Sequence, residues 1–242
     1  MRRFVAALIC VLGLTAPLAA TADTMDEDRV RELVLDTILE NPEVIMQAID
    51  ILRARDAEAQ KAQAAQTMTS QREALERDPN APVLGNPDGD VTLVEFFDYN
   101  CGYCRRVHPS VEALIAEDKN LRVVMREWPI LGDASVEAAR VSLAVRKQGK
   151  YAEFHKAMME GRGRANTASA LKVAEGLGLD IDQLRRDMEA PDVVAHLQLS
   201  QELSQGLGVN GTPAFVVGEQ LVPGAIDLDQ LRSLVAQARE NG

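Results

Sequence analysis

Two cysteines, Cys101 and Cys104, stand two residues apart, directly after an apolar run and at the start of a helical pattern. The run, from Val91 to Phe97, is rich in β-branched and aromatic residues, which is typical of a strand buried on both faces. Apolar residues then recur at helical spacing as far as about Glu117. Cys101 therefore begins a helix, where unpaired N–H groups and the positive dipole end favour thiolate over thiol. We expect Cys101 to be the nucleophile that forms a mixed disulfide, and the more sheltered Cys104 to be the thiol that resolves it.

The Cys-x-x-Cys spacing is compatible with three chemistries. A purely structural disulfide closing so short a loop would contribute only about 2 kcal/mol, against about 4.7 kcal/mol for a loop of 100 residues. A zinc site needs four ligands, whereas the chain has three histidines and only His108 lies near the pair. Redox exchange suits the spacing best, because a close second thiol can resolve a mixed disulfide before the substrate leaves.

The first 22 residues have the pattern of a secretory signal peptide. Two arginines precede an apolar run from Phe4 to Leu14, and small residues follow as far as Ala22. We predict cleavage after Ala22; an uncleaved anchor is the alternative, but the run is short for a bilayer core of about 30 Å. Cleavage would remove Cys10 and leave the Cys101–Cys104 pair in an exported protein, where disulfides form and persist.

Composition narrows the class of protein. Of 242 residues, 46% are apolar and 26% are charged, which is ordinary globular composition rather than that of a disordered or multi-span membrane protein. The net charge of -11 repels a phosphate backbone, so we expect no nucleic-acid partner.

The stretch Glu95-Phe-Phe-Asp-Tyr-Asn-Cys-Gly-Tyr-Cys104, together with Gly211-Thr-Pro213, resembles the DsbA-like branch of the thioredoxin superfamily. The resemblance covers about residue 80 to the C-terminus. It implies an α/β class, a thioredoxin fold with a helical insertion, and a redox-active Cys101–Cys104 disulfide with no cofactor beyond it. It also implies a substrate-binding cis-proline loop at Thr212 and Pro213. A plain turn there is the alternative.

The remaining pattern fits that class. We predict a second strand over 121–128, a hairpin of 214–217 and 220–222, and a closing helix over 226–239 that starts at Asp227. Five helical segments separate the second strand from the hairpin and make up an insertion at about 133–208 within a domain of residues 79–242. They are 135–147, 150–160, 167–176, 181–189 and 192–206.

Residues 23–78 lie outside that domain and predict a helical arm. Asp26 to Leu39 is amphipathic, Asn41-Pro42 interrupts it, and a second helix continues to Arg77. An apolar stripe with no partner in so short a segment predicts a homo-oligomer, dimer or trimer; a solvated stalk or a packed arm is the alternative. The segment from Glu40 to Ile49 also resembles the N-terminal part of suppressor of copper sensitivity C proteins, some of which are trimers.

Single residues near the motif have two readings each. Glu95 would be costly in a buried strand unless functional, and the family carries a proton-transferring acid there; a partly exposed strand-end glutamate is the alternative. His108, one turn after Cys104, either tunes the thiols or packs. We expect scattered methionines, such as Met158 and Met159, to fill the core rather than to bind copper.

The resemblance implies a periplasmic thiol-disulfide oxidoreductase. The dipeptide Gly102-Tyr103 and Thr212 resemble disulfide isomerases more than the strong oxidant DsbA, so we favour an isomerase or reductase over an oxidase. The implied partners are unfolded or misoxidised exported proteins and a membrane reductase of the DsbD type. The alternatives are a DsbA-type oxidase, a copper(I)-handling protein that uses both thiolates, and a non-catalytic chaperone.

Overall fold

The computed structural model describes residues 26–241. The expected signal peptide, its cleavage site at Ala22 and Cys10 lie outside the described residues. Within residues 26–241, no helix is both long enough and apolar enough to span a bilayer. The chain divides into two compact units, one ending at Arg53 and the other beginning at Ala54.

The N-terminal unit is helical and leaves its apolar side chains on the surface. Helix α1 is Glu27–Glu40, and α2 begins at Glu43 and ends at Ser70 inside the second unit. The chain leaves the helix at Asn41 and Pro42, as the proline predicts. Helix α1 buries no residue, and ten of the thirteen large exposed apolar residues of the described chain lie between positions 30 and 52.

The second unit is built on a five-stranded sheet in the order β1-β3-β2-β4-β5. Strands β2 and β3 are parallel, and every other neighbouring pair is antiparallel. The strands β2 and β3 are buried along their whole length, as the continuous apolar run predicts. The bounds are β1 Val83–Gly85, β2 Val91–Phe97, β3 Leu121–Glu127, β4 Ala214–Val217 and β5 Gln220–Pro223.

Helices cover the sheet and form the insertion. Helix α3 is Arg72–Arg77, so the expected single helix to Arg77 is interrupted at Gln71. Helix α4, Gly102–Glu117, follows β2, and α10, Leu228–Asn241, closes the chain. The predicted ends of the insertion helices agree with the structure to within two residues. These helices are α5 Asp133–Arg146, α6 Tyr151–Glu160, α7 Thr167–Gly176, α8 Ile181–Asp187 and α9 Pro191–Leu207.

The two faces of β2 pack against different helices, because successive side chains point to opposite sides of a sheet. Leu93 and Phe97 share a core with Val107 of α4. Val94 and Phe96 share the other core, which the end of α2, α3 and α9 complete through Met68, Leu75 and Leu203. Glu95 has the parity of Leu93 and Phe97. It therefore belongs to the face that carries α4.

Candidate active site

The Cys-x-x-Cys motif lies where β2 gives way to α4. Cys101 is the residue before the first helical position, with extended backbone angles, and its backbone N–H donates to the carbonyl of Asp98. The Asp98 carboxylate accepts backbone N–H groups from Asn100 at 2.8 Å and Leu131 at 3.0 Å. Asp98 thus stabilises the loop that places Cys101 at the N-terminus of α4.

The environment of Cys101 favours its thiolate. A hydrogen bond from Cys104 lowers the pKa of Cys101 to about 5, against the opposing effect of burial. Hydrogen bonds from the Thr212 side chain and from the backbone N–H groups of Cys104 and Tyr103 contribute to the same lowering of the pKa. Those N–H groups belong to the first turn of α4, where no intrahelical acceptor is available. The sulfur of Cys101 therefore lies at the N-terminus of a helix, as the sequence pattern predicts.

Cys104 has the opposite chemistry. Its side chain is fully buried, and burial raises its pKa well above the usual range. The hydrogen bond with Cys101 and the negative charge of Glu95 act in the same direction. Both cysteines are free thiols in the structure. The pair therefore combines one sulfur suited to attack with a second that remains protonated.

A loop from the far end of the chain reaches Cys101. The Thr212–Pro213 peptide bond is cis, and β4 begins directly after it. Because β4 pairs antiparallel with β2, Ala214 lies opposite Phe96, and the loop comes beside the start of α4. The Thr212 carbonyl oxygen lies 3.1 Å from Cys101 Sγ, which donates to it as a thiol. The structure thus brings the Thr212 carbonyl to Cys101, with Pro213 directly after it in the cis peptide bond.

Glu95 is fully enclosed rather than partly exposed. It lies in the middle of the sheet between Met125 and Phe215, with 2% of its surface exposed. Burial, together with the charge of Cys101, raises its pKa to about 8. The alternative of a partly exposed strand-end glutamate is therefore wrong. A carboxyl group with such a pKa is able to take up or release a proton near neutral pH.

His108 is buried on the same helix as Cys104, and its ring centroid lies 5.2 Å from that of His155. Burial lowers the pKa of His108 and brings that of His155 down to about 3, so both rings favour the neutral form. His155 Nδ1 lies 3.1 Å from the Tyr99 hydroxyl. The two histidines therefore extend a buried aromatic group beneath the motif.

The dipeptide between the cysteines faces outward. A Cβ atom added to Gly102 would meet no heavy atom within 4 Å, so the glycine leaves open space beside the sulfur. Tyr103 is 58% exposed, and the guanidinium carbon of Arg106 lies 5.0 Å from its ring centroid. Both residues are therefore exposed beside the cysteines.

Sequence reasoning missed Asn100 and Arg105, which tie the motif to the insertion. The Asn100 side chain donates to the Ala165 carbonyl at 2.9 Å and accepts the Ala165 N–H at 2.8 Å. Arg105 donates to the carbonyls of Tyr99 and Gly161. Polar residues directly flanking a reactive cysteine were the only available signal, and their partners are more than 50 residues away for the insertion contacts.

The described residues contain no cluster of three or more His, Cys, Asp and Glu side chains arranged to hold a metal ion. Met158 and Met159 lie in the same apolar core as Phe97 and Val107. The methionines thus pack among apolar side chains.

The sequence profile of the DSBA-like thioredoxin domain matches residues 92–236, which include both cysteines and the Thr212–Pro213 loop. The chain belongs to the DsbA-like thioredoxin family. A second profile, the copper resistance protein ScsC N-terminal domain, matches residues 26–59 of this DsbA-like chain.

Solved structures agree with the assignment to the DsbA-like family. A thioredoxin-like oxidoreductase from Silicibacter pomeroyi is 57% identical, has a TM-score of 0.68, and covers 70% of this chain and 98% of its own. A linker-deletion variant of Proteus mirabilis ScsC is 30% identical with a TM-score of 0.70, and covers 93% and 100% of the two chains. The thiol-disulfide exchange protein α-DsbA2 from Wolbachia pipientis is 31% identical with a TM-score of 0.68, covering 74% and 97%.

Curated relatives of this DsbA-like chain include much larger proteins. The Na(+)/H(+) antiporter NhaA 1 of Salinispora arenicola is 28% identical over 158 residues, which is 64% of this chain and 24% of the antiporter. The chain therefore spans about a quarter of the length of the curated relatives it matches first.

Proposed function

We propose that the protein catalyses thiol-disulfide exchange on exported proteins, as an isomerase or reductase rather than an oxidase. The observation that carries the proposal is that the pKa values of two neighbouring thiols are shifted in opposite directions. The pKa of Cys101 is lowered to about 5, while that of Cys104 is raised. A thiolate is the attacking species in exchange, so this difference assigns the first step to Cys101.

The proposed reaction starts when the Cys101 thiolate attacks a substrate disulfide. A bond forms between Cys101 Sγ and one substrate sulfur, and the other substrate sulfur leaves as a thiolate. In reduction, Cys104 loses its proton and attacks Cys101 Sγ, which yields the Cys101–Cys104 disulfide and releases the second substrate thiolate. Two electrons then pass from the protein to the substrate. In isomerisation, the released thiolate attacks a second disulfide of the substrate and frees a different substrate thiolate. That thiolate attacks the substrate sulfur of the mixed disulfide, which forms a new substrate disulfide and releases Cys101 as the thiolate.

Glu95 supplies a proton acceptor for the resolving step. Cys104 is fully buried, so its proton needs an internal route. Glu95 lies close enough for its negative charge to raise the pKa of Cys104 and for the charge of Cys101 to raise its own pKa. With a pKa of about 8, the Glu95 carboxyl group exchanges protons at the pH where the resolving thiol must react. His108, which is buried and favours the neutral form, packs beneath the motif in this proposal.

The preference for isomerase over oxidase rests on the stability of the thiolate. The more the Cys101 thiolate is stabilised, the more the site favours its reduced form and the stronger it is as an oxidant. A pKa of about 5 lies between about 3.5 for the strong oxidant DsbA and about 7 for thioredoxin. The Gly102-Tyr103 dipeptide and Thr212 support the same choice through their resemblance to isomerases.

Two assays test this assignment. The reduced protein should reduce insulin, and it should restore activity to scrambled ribonuclease in the absence of net oxidation. Fast oxidation of reduced ribonuclease without any unscrambling would overturn the isomerase assignment and favour a DsbA-type oxidase. A wild-type protein that shows no thiol-disulfide exchange in either assay would overturn the proposed function itself.

The location and assembly that we propose rest on the first 78 residues of the chain. Residues 1–22 would export the protein to the periplasm. Residues 23–78 would act as the oligomerisation arm, forming a dimer or trimer through its exposed apolar part, while its end packs on the sheet through Met68 and Leu75. The exposed apolar side chains of α1 and the match to the ScsC N-terminal domain support the second role. A membrane reductase of the DsbD type would return the Cys101–Cys104 disulfide to the dithiol.

Copper(I) handling is a second candidate, because the profile matched at residues 26–59 is that of a copper resistance protein. Two neighbouring cysteine thiolates are soft ligands that suit copper(I). This function would require stoichiometric binding that blocks thiol exchange. Exchange that continues at full rate with one equivalent of copper(I) bound would contradict it.

A further inference from the structure

Four arginines lie in the two segments that adjoin the cysteine motif. Arg105 and Arg106 lie in the first turns of α4, directly after Cys104. Arg162 and Arg164 lie in the segment between α6 and α7, and both are exposed. We call these four residues the arginine collar.

Backbone contacts hold the two halves of the collar together. Arg105 donates to the carbonyls of Gly161 and Gly163, the residues on either side of Arg162. Asn100, immediately before Cys101, exchanges two hydrogen bonds with the backbone of Ala165. The segment that carries Arg162 and Arg164 is therefore fixed against the residues just before and just after the motif.

The collar has no acidic counterpart in the described chain. Among the described residues, none of its four guanidinium groups lies within 4.0 Å of a carboxylate, whereas the guanidinium of Arg140 is paired with Glu189. Of the nearby acids, Glu112 and Glu160 both contact Lys156, and Asp227, which lines a pocket together with Arg106, accepts the backbone N–H of Gln230 at the start of α10.

This local excess of positive charge contrasts with the whole chain. The net charge is -11, so an acidic substrate is repelled by most of the surface and attracted only where cations predominate. At an ionic strength of 0.15 M the Debye length is about 8 Å, so only charges close to the reacting disulfide are felt strongly. Guanidinium groups also bind carboxylates through two parallel hydrogen bonds.

We propose that the arginine collar binds acidic segments that flank the substrate disulfide. This inference rests on the proposed function, because it names the substrate class of the same site. Carboxylates on either side of a substrate cysteine would contact the collar while the Cys101 thiolate attacks the substrate sulfur. The preference should therefore appear in the bimolecular rate of the first exchange step.

The test uses three peptides with the same internal disulfide, flanked by glutamate, glutamine or lysine pairs. The reduced full-length protein is mixed with each at low salt, and the second-order rate is measured by thiol release. Each rate is divided by the rate with dithiothreitol, which removes the intrinsic effect of the flanks on the disulfide. The glutamate peptide should react about tenfold faster than the glutamine peptide and faster still than the lysine peptide, and 0.5 M salt should abolish the difference.

Charge variants locate the effect. The Arg162→Ser/Arg164→Ser double variant should lose most of the preference, and Arg162→Glu/Arg164→Glu should reverse it. The matched control is Arg77→Ser/Lys119→Ser, which removes the same charge near the opposite end of β2, a seven-residue strand about 23 Å long. That control should keep the preference of the wild-type protein.

The outcomes separate the two proposals. Equal normalised rates for all three peptides, or an equal loss in the control variant, would overturn the collar while leaving the exchange function standing. No reaction with any peptide or with the uncharged bis(2-hydroxyethyl) disulfide would overturn both.

Discussion

The sulfur of Cys101 lies 3.1 Å from the backbone carbonyl oxygen of Thr212, a residue 111 positions further along the chain. The contact depends on the sheet, because β4 is paired antiparallel with β2 and follows directly on Pro213. An extended substrate laid along this loop would present its disulfide to Cys101. The helix start thus prepares the nucleophile, and the neighbouring strand positions the loop beside it.

Alkylation of Cys101 should follow a pH profile with a midpoint near 5, well below the ordinary value of about 8.5. The hydrogen bond from Cys104 contributes most to this shift, so Cys104→Ala should raise the midpoint by about one to two pH units. Cys104→Ser keeps a donor at that position and should stay closer to the wild-type profile. Iodoacetamide kinetics, with mass spectrometry to locate the adduct, measure the midpoint. An unchanged midpoint in Cys104→Ala would contradict the account.

Glu95 should make the protein less stable as the pH rises. Its pKa is about 8 in the folded protein and near 4.5 when exposed, so between these values the folded state holds a proton that the unfolded state has released. Stability is therefore lost from about pH 4.5 to pH 8. The Glu95→Gln variant of the oxidised protein should match the wild type at pH 4 and exceed it increasingly up to pH 8. Urea unfolding at pH 4, 6 and 8.5 tests this. A difference in the free energy of unfolding between variant and wild type that is the same at all three pH values would contradict it.

The buried ion pair between Arg126 and Asp78 should contribute strongly to stability. Their atoms lie 2.7 Å apart, and both side chains are at most 5% exposed. Asp78→Asn would leave a buried guanidinium without its counter-charge, at a cost of about 3–5 kcal/mol. The exposed pair of Arg232 and Glu117 is the control, and Arg232→Gln should change the unfolding midpoint little. Equal losses in the two variants would show that the buried pair is not special.

Self-association should depend on one face of α1. Leu33 and Val34 are 40% and 51% exposed and border an apolar groove together with Val30 and Ile38. Leu33→Lys should lower the mass measured by analytical ultracentrifugation towards that of the monomer. Glu32→Lys, on the opposite side of the helix, should leave the assembly intact. A monomeric wild-type protein would overturn the role that we propose for the arm.

The fold was predictable where the local pattern is strong. The β-branched run of β2 and the periodic helices of the insertion were found within two residues of their ends. The strand β1 was missed because three residues carry no period, and it forms only by pairing with β3. The interruption at Gln71 was also missed, since no glycine or proline marks it.

The candidate site was predictable in its reactive part and not in its support. Recognisable motifs contain the two cysteines, Thr212 and Pro213. The role of Glu95, in contrast, depends on its burial, which the sequence alone does not give. Asn100 and Arg105 act through partners in the insertion, and those contacts exist only after the helices have packed. A single sequence carries no signal for such pairs.

Trapping of a mixed disulfide tests the central claim most directly. Reduced Cys104→Ala and Cys101→Ala variants are incubated separately with scrambled ribonuclease, quenched with acid and analysed on a non-reducing gel. Because Cys101 attacks and Cys104 resolves, Cys104→Ala should accumulate a covalent complex that dithiothreitol releases, and Cys101→Ala should form none. A Cys101→Ala protein that forms the complex through Cys104 at a comparable rate would contradict the roles assigned to the two thiols.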